Sequence, residues 1–496
     1  MITIIIHNST CFIKYGDNNP NVINELSSNL NDLLSYRKED YVFIRNVMKK
    51  KYRDAKIFSK EELRKSRPDL LKYLYITPQR LEEWVEKATI VKLFNRSNNS
   101  FPTGLLCMVE KYLKNFKIHY TIEDARKKPE EKEKNYLKLT KLPKLRYYQK
   151  EILEKLKIHS RGIVEAATGT GKTLIIKELI KEKGVKTLVV VPSSNILDIF
   201  ESQLIELYGK RFVGVITGGK KQFDKDITVA TYQSLPKIPA EWFESIDMLI
   251  TDEFHHSSAE TLSSLNFNQF KDIYFRYGFT ATNYRNDNSD LSLKAIMSDV
   301  LYEYGFNKGI SDKFLSPIKF IVYKYDNPYI ESKWREENQM ALIQNEEYND
   351  KIVEIAQKLD SNNVPTIIFV NEIKHGEILQ EKIEGSVFIT GKWKRKVNKQ
   401  ILEDFNDNKF NILIGTSVIG EGVDTVPAQV GILASGFKAD SEVVQKIGRL
   451  LRPHENKKSA YFIDFTNKGT KYLYKHHNAR MEIYKRYPSE IIYRDF

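Results

Sequence analysis

The sequence has 496 residues, 41% of them hydrophobic, with 78 Lys and Arg against 65 Asp and Glu and a formal charge of +13. On a prior of roughly 150 residues per domain, that is enough chain for about three domains with packed cores, and the basic excess suits a polyanionic partner. Two cysteines, Cys11 and Cys107, argue against a disulfide framework, neither has a histidine pair at zinc-ligand spacing, and no run reaches the ~20 apolar residues of a membrane span, so a soluble, cytoplasmic protein without membrane contact is expected.

The opening residues Met1 to His7 lack a basic leader and are β-branched, which predicts a first strand over Ile2 to Ile6. Strand-like Thr10 to Ile13, a helical Val22 to Leu34, strand-like Tyr41 to Val47, a helical Leu105 to Phe116 and strand-like Lys117 to Tyr120 then predict a small α+β module. Arg126 to Lys134 carries both signs of charge, one proline and no apolar residue, the texture of a linker. From about Leu145, short apolar runs alternate with helical segments, as in an open parallel sheet. Candidate strands of a first sheet are Gly162 to Glu165, Thr187 to Val191, Ile227 to Ala230, Met248 to Thr251 and Tyr274 to Phe279. A second series runs through Thr366 to Val370, Val387 to Thr390, Ile412 to Gly415, Gly431 to Ala434 and Ala460 to Phe465. Two successive α/β lobes joined around Gly305 to Pro317 are the simplest account.

Three distant segments belong together chemically. Ala166-Ala167-Thr168-Gly169-Thr170-Gly171-Lys172-Thr173 follows an apolar strand and opens a helical run, the context of a phosphate loop. Gly169 and Gly171 let backbone N–H groups turn in around a phosphate, Lys172 is expected on the β- and γ-phosphates of ATP, and Thr173 on Mg²⁺. Met248 to Thr251 delivers Asp252 and Glu253 to the carboxyl end of a strand, where Asp252 is expected to hold Mg²⁺ and Glu253 to act as base toward water. His255, two residues on, is placed to couple nucleotide state to the other lobe. Gln445, Arg449 and Arg452 fall near one face of a helix, and the two guanidinium groups suit charge developing on a γ-phosphate. Because this segment lies so far downstream, it is expected to complete the nucleotide site only when two lobes close.

From Leu145 to Thr466 these motifs resemble superfamily 2 helicases and translocases of the DExH type. Leu145-Arg146-Tyr147-Tyr148-Gln149 is similar to the adenine-recognition motif, with Gln149 as reader; Pro192 and Ser193 resemble motif Ia, and Thr231 and Tyr232 motif Ib. Phe279-Thr280-Ala281-Thr282 resembles the coupling motif III, Ile367 to Val370 with Phe369 motif IV, and Thr416 with Gly420-Glu421-Gly422-Val423-Asp424 motif V. The resemblance implies nucleic-acid contacts at Pro192, Ser193, Thr231, Tyr232, Phe369 and Thr416, coupling at Thr280 and Thr282, and nucleotide contacts at Gly422 and Asp424. The two ends, Thr89 to Leu106 and Tyr472 to Tyr487, resemble the substrate-binding module and closing helix of the phage UvsW family.

That resemblance implies an α/β chain of two tandem RecA-like parallel-sheet lobes preceded by a small α+β N-terminal domain. The boundaries expected are a substrate-binding module at 1–125, a linker at 126–140, lobes at 141–305 and 306–466, and a C-terminal helical extension at 467–496. It also implies an ATP- and Mg²⁺-dependent, monomeric DNA helicase moving 3′-to-5′ on branched or single-stranded DNA, with single-strand binding or recombination proteins as partners. An RNA helicase, a duplex translocase that leaves strands paired, and a nucleotide-switched nucleic-acid clamp are the alternatives. Two basic runs with an interleaved aromatic, Lys49 to Arg53 and Lys392 to Lys396, are further candidates for nucleic-acid contact, against the plainer reading of solvated surface.

Overall fold

The computed structural model describes residues 2–38, 41–130, 142–253, 264–266, 268–281, 291–325, 333–420, 425, 427–436, 440–455 and 457–496. In the N-terminal region, β1 (Ile2–Ile6) and β2 (Thr10–Lys14) pair antiparallel. The short β3 (Ser35–Arg37) and β4 (Ile90–Lys92) form a two-stranded stalk. β5 (Ser100–Pro102) and β6 (Tyr120–Asp124) complete a sheet of order β5-β2-β1-β6. Ile2, Ile4 and Ile6 alternate inward against helices Pro20–Leu33 and Leu106–Asn115.

Tyr41 to Val47, expected as a strand, lies instead in the helix Tyr41–Ile57. The leading Tyr-Val-Phe-Ile run has β character, but Met48, Tyr52 and Ala55 fall at helical spacing and pack with Leu81, Trp84 and Val85 of helix Pro78–Thr89. These helices form an insertion with its own small core, carried on the β3–β4 stalk.

The first sheet takes β7 (Arg161–Ala166), β8 (Thr187–Val191), β9 (Val213–Ile216), β10 (Ile227–Thr231), β11 (Met248–Asp252), β12 (Phe275–Thr280) and β13 (Val300–Tyr304). Its order is β13-β7-β12-β11-β8-β10-β9, and every pair is parallel. The strands read as continuous apolar runs because helices cover both faces. The second sheet takes β14 (Ile318–Tyr325), β15 (Thr366–Phe369), β16 (Val387–Ile389), β17 (Ile412–Gly415), β18 (Val430–Leu433), β19 (Ala460–Asn467) and β20 (Ile491–Asp495). It too is all parallel, in the order β16-β17-β15-β18-β19-β14-β20. Two parallel-sheet lobes after a small α+β region are thus the architecture of the chain.

Residues beyond Thr466 do not stand apart as a helical extension. Helix Tyr472–Tyr484 lies on β19, where Asp464 accepts bonds from Arg480 at 2.8 Å, from the Tyr484 hydroxyl at 2.8 Å and contacts His477 at 3.1 Å. Burial alone would raise that carboxyl, yet Arg480 and His477 hold it well below the usual carboxylate range. The buried Glu337 caps the same helix by accepting from the backbone N–H of Lys471, Tyr472 and Leu473, and β20 then closes the sheet edge beside β14.

The N-terminal region is docked on the first lobe by buried polar groups. Arg161 on β7 and Arg276 on β12 are register partners, and each reaches the β1–β2 turn. Arg161 donates to the Asn8 carbonyl at 2.5 Å and Arg276 to Ser9 Oγ at 2.6 Å, while Asn8 Nδ2 donates back to the Asp272 carbonyl at 2.7 Å. Gly104 abuts the carbonyls of Lys294 and Ala295 so closely that a Cβ there would collide with backbone. Among the described residues no helix is long and apolar enough to cross a membrane.

Candidate nucleotide site and nucleic-acid edge

The phosphate loop leaves β7 and enters helix Lys172–Lys183 through Gly171, whose φ of 83° is left-handed, as is Gly169 at 86°. At Gly171 an added Cβ would lie 2.5 Å from Gln149 Nε2, so the glycine serves both backbone conformation and close approach. Tyr148 and Gln149 brace the loop from outside by donating to the Thr170 carbonyl at 2.6 and 3.0 Å. Gln149, expected to read adenine, thus also holds the loop backbone. Tyr148 was not singled out in the sequence, although its place beside Gln149 offered the signal.

Lys172 Nζ donates to the Ala166 carbonyl at 3.1 Å and pairs with Glu253 Oε1 at 3.0 Å. The second Glu253 oxygen accepts from the Ala281 N–H at 3.3 Å, which ties the carboxylate to the strand end that carries Thr280. Glu253 also has a φ of 47°, a left-handed backbone that costs a non-glycine residue on the order of 1 kcal/mol. Asp252, beside it at the end of β11, is buried, and its Oδ1 has no hydrogen-bond partner among the described residues. Burial, followed by the charge of Glu253, pushes its carboxyl up to about 7, with Lys172 opposing. The orphaned buried oxygen is what fits a divalent cation, whose charge would favour the ionised carboxylate, and Thr173 stands at the start of the adjoining helix.

The third segment forms helix Asp440–Leu450 in the second lobe, and it meets the phosphate loop directly. An added Cβ on Gly448 would fall 2.6 Å from Thr168 Cβ, and one on Gly169 would fall 3.5 Å from Arg452 Cγ. Arg449 is buried, Gln445 is half-buried, and burial holds Arg452 below the usual arginine range. Ser316, in the connector between the sheets, donates its N–H to the Leu451 carbonyl at 2.7 Å and so fixes the end of this helix. The loop and the arginines, far apart in sequence, therefore share one interlobe cleft. Ala167 packs into the second lobe's core and Thr168 against Gly448, while Thr170 is wholly buried with its hydroxyl donating to the Ala167 carbonyl.

The expected nucleic-acid residues gather at the carboxyl edges of the sheets, with two exceptions. Pro192 and Ser193 follow β8, and Thr231 ends the adjacent β10; Gln233 Nε2 donates to the Pro192 carbonyl at 3.5 Å and links the two turns. Thr416 follows β17. Phe369, however, has no exposure and fills the second core, and Tyr232 is buried with its hydroxyl donating to the Asp252 carbonyl at 3.4 Å. Neither side chain can meet a nucleic acid, because both turn inward from their strand ends. Tyr52 is likewise part of the helical insertion's packing, and its neighbour Lys49 pairs with Glu82 at 2.5 Å. His255, Thr282, Gly422 and Asp424 lie outside the described residues.

Comparison with known proteins decides the family. Residues 142–285 match the family described as type III restriction enzyme, res subunit, and residues 347–454 match the helicase conserved C-terminal domain. The chain is a superfamily 2 helicase. It is related to the ATP-dependent DNA helicase uvsW of Enterobacteria phage T4, at 22% identity over 73% of this chain and 78% of that protein. The DNA 3′-5′ translocase XPB2 of Sulfurisphaera tokodaii is 25% identical over 66% of this chain and 82% of its own length. A fragment of an HsdR subunit of a Vibrio vulnificus type I restriction enzyme shares the fold, with a TM-score of 0.55 at 21% identity, covering 73% of this chain and 71% of that one. As a helicase of this family, the protein is an ATP-hydrolysing enzyme that acts on nucleic acid.

Proposed function

We propose that this helicase is a DNA motor that moves 3′-to-5′ and remodels branched DNA such as forks, Holliday junctions, D-loops or R-loops in recombination, repair and replication. The direction follows its similarity to a protein named a DNA 3′-5′ translocase, and the DNA substrate its relation to a phage ATP-dependent DNA helicase. The observation that carries the reading is the interlobe junction, where the phosphate loop that leads into the Lys172–Glu253 pair meets Gly448 on helix Asp440–Leu450 and Arg452 just past its end.

In this reading ATP enters the cleft and its phosphates draw Lys172 away from Glu253. Glu253, still oriented by the Ala281 N–H, then turns its freed oxygen to the attacking water as general base. Mg²⁺ held by Thr173 and Asp252 would offset charge on the phosphates. Gln445 and Arg449 on helix Asp440–Leu450, with Arg452 two residues past its end rather than on its face, stabilise charge developing on the γ-phosphate, so turnover requires the lobes to be closed. Loss of the γ-phosphate removes their anchor and lets the lobes part. Strand contacts at Pro192, Ser193, Thr231 and Thr416 are to phosphates and carry little sequence information, which suits a tracking motor. The docked N-terminal region would hold the junction while the lobes pull.

The test is strand release from a labelled fork and from a four-way junction, with ATP and with a non-hydrolysable analogue. ATP-dependent release from both supports the reading. Translocation without release would instead indicate a duplex translocase, and activity restricted to RNA duplexes would overturn the DNA assignment.

A further inference from the structure

The run Lys392 to Lys396 spans the end of the turn after β16 and the start of helix Arg395–Asn406, at the carboxyl edge of the second sheet. It lies beside the turn that follows β17, since the Thr416 N–H donates to the Ile389 carbonyl and Val418 is the nearest group to Gly391, 3.6 Å from where its Cβ would be. Thr416 is one of the residues read above as a strand contact. The turn is firmly built. The buried Thr390 carbonyl accepts from the Trp393 N–H at 3.2 Å and from Asn398 Nδ2 at 3.1 Å, while Thr390 Oγ1 accepts from the Lys392 N–H at 3.2 Å.

These anchors hold an indole outward. Trp393 is 40% exposed and Val397, one helical turn on, is 44% exposed. The other three tryptophans each have a ring neighbour: Trp84 against Tyr73, Trp242 against Phe223 and Trp334 against His476. No such neighbour is seen for Trp393 among the described residues. Lys392, Lys394 and Lys396 are exposed and have no carboxylate within ion-pair distance among the described residues, whereas Lys399 sits 3.8 Å from Glu403. An open aromatic face set among uncompensated cations matches a nucleobase between two phosphates, which supply the stacking surface and the negative charge together.

We infer that Trp393 is a base-stacking contact for single-stranded nucleic acid held by the second lobe, with Lys392, Lys394 and Lys396 on the flanking phosphates. This rests on the motor reading above and adds to it a contact that grips a base rather than the backbone. Stacking tolerates any base, so it would let the lobe hold the strand between steps without pausing at particular sequences.

The experiment uses the full chain and a fluorescein-labelled oligothymidylate, with binding followed by anisotropy over a salt series and, in parallel, quenching of tryptophan emission by the unlabelled oligonucleotide. Trp393→Ala is expected to weaken binding on the order of 10- to 100-fold without changing its salt slope, and Trp393→Phe to recover most of the loss. The quench seen in the wild type should be largely absent in Trp393→Phe, which reports on the site even if the alanine variant folds poorly. The triple change Lys392→Ala, Lys394→Ala and Lys396→Ala is expected to flatten the log–log salt slope by about 2, at roughly 0.7 for each phosphate no longer neutralised. Wild-type binding in Trp393→Ala, or an undiminished quench in Trp393→Phe, overturns the assignment and leaves the motor reading standing. A wild-type protein that binds no oligonucleotide overturns both.

Discussion

Glu253 pairs with Lys172, and in the proposed cycle it faces water once phosphates take the lysine; its strained backbone marks how tightly its direction is set. Glu253→Gln should therefore cut ATP turnover by about 10²- to 10⁴-fold while binding ATP more tightly, because the lysine no longer has a competing carboxylate. Steady-state turnover and a nucleotide-binding titration on the same variant check both halves. Gly448→Ala places a methyl group against Thr168, where the two lobes touch across the phosphate loop. It should slow turnover by more than about 10-fold, on the scale of a misplaced catalytic group, with the unfolding transition little changed. His375 gives a pH signature: burial holds it down to about 4 from an ordinary 6.5, with Asn349 Oδ1 at 2.9 Å from Nε2. Its folded pKa is depressed, so the stability it allows is complete above pH ~6.5 and is lost as pH falls toward 4, by up to ~3 kcal/mol. His375→Gln should flatten the pH dependence of urea unfolding across that window. The residues of the nucleotide site were legible because chemistry fixes both their types and their spacing. The inward direction of Phe369 and Tyr232 was not, since motif position says which strand end a residue occupies and not which way its side chain turns.

At the scale of elements, the N-terminal region and the first lobe behave as one packed body, because the β1–β2 turn satisfies Arg161 and Arg276 and the helix Leu291–Met297 lends Leu291 and Ala295 to the N-terminal core. Gly104→Ala should therefore destabilise this joint by about 1–3 kcal/mol through overpacking, read as a lower midpoint of urea unfolding, and an unchanged midpoint would mean that the joint is loose. No sequence pattern announced this docking, because the buried arginines look like ordinary strand-start cations until the turn is folded over them. The apolar runs of β8, β11 and β17 were legible as buried strands. By contrast β14 mixes apolar and polar residues in Ile-Lys-Phe-Ile-Val-Tyr-Lys-Tyr, and β20 lies past the last motif; the two sit together at one side of the second sheet, and sequence pattern alone passed over both. The helix Tyr41–Ile57 was misread because its first turn is β-branched and aromatic, and only its partner Pro78–Thr89 decides the outcome.

For the whole molecule, the proposed ATPase is divided between the two lobes. Lys172, Asp252 and Glu253 belong to the first lobe, Arg449 and Arg452 to the second, and the connector through Leu315 and Ser316 packs at their junction. In the proposed cycle turnover depends on closure, and closure on whatever bridges both carboxyl edges, where the proposed strand contacts lie. The most direct measurement is steady-state ATP hydrolysis by the purified protein without polymer and with single-stranded DNA, forked DNA, a four-way junction and RNA, alongside an Arg449→Ala variant. Low turnover alone, strong stimulation that is greatest with branched DNA, and loss of the stimulated rate in Arg449→Ala are expected. Turnover that is indifferent to nucleic acid, or that survives in Arg449→Ala, would contradict closure-dependent turnover.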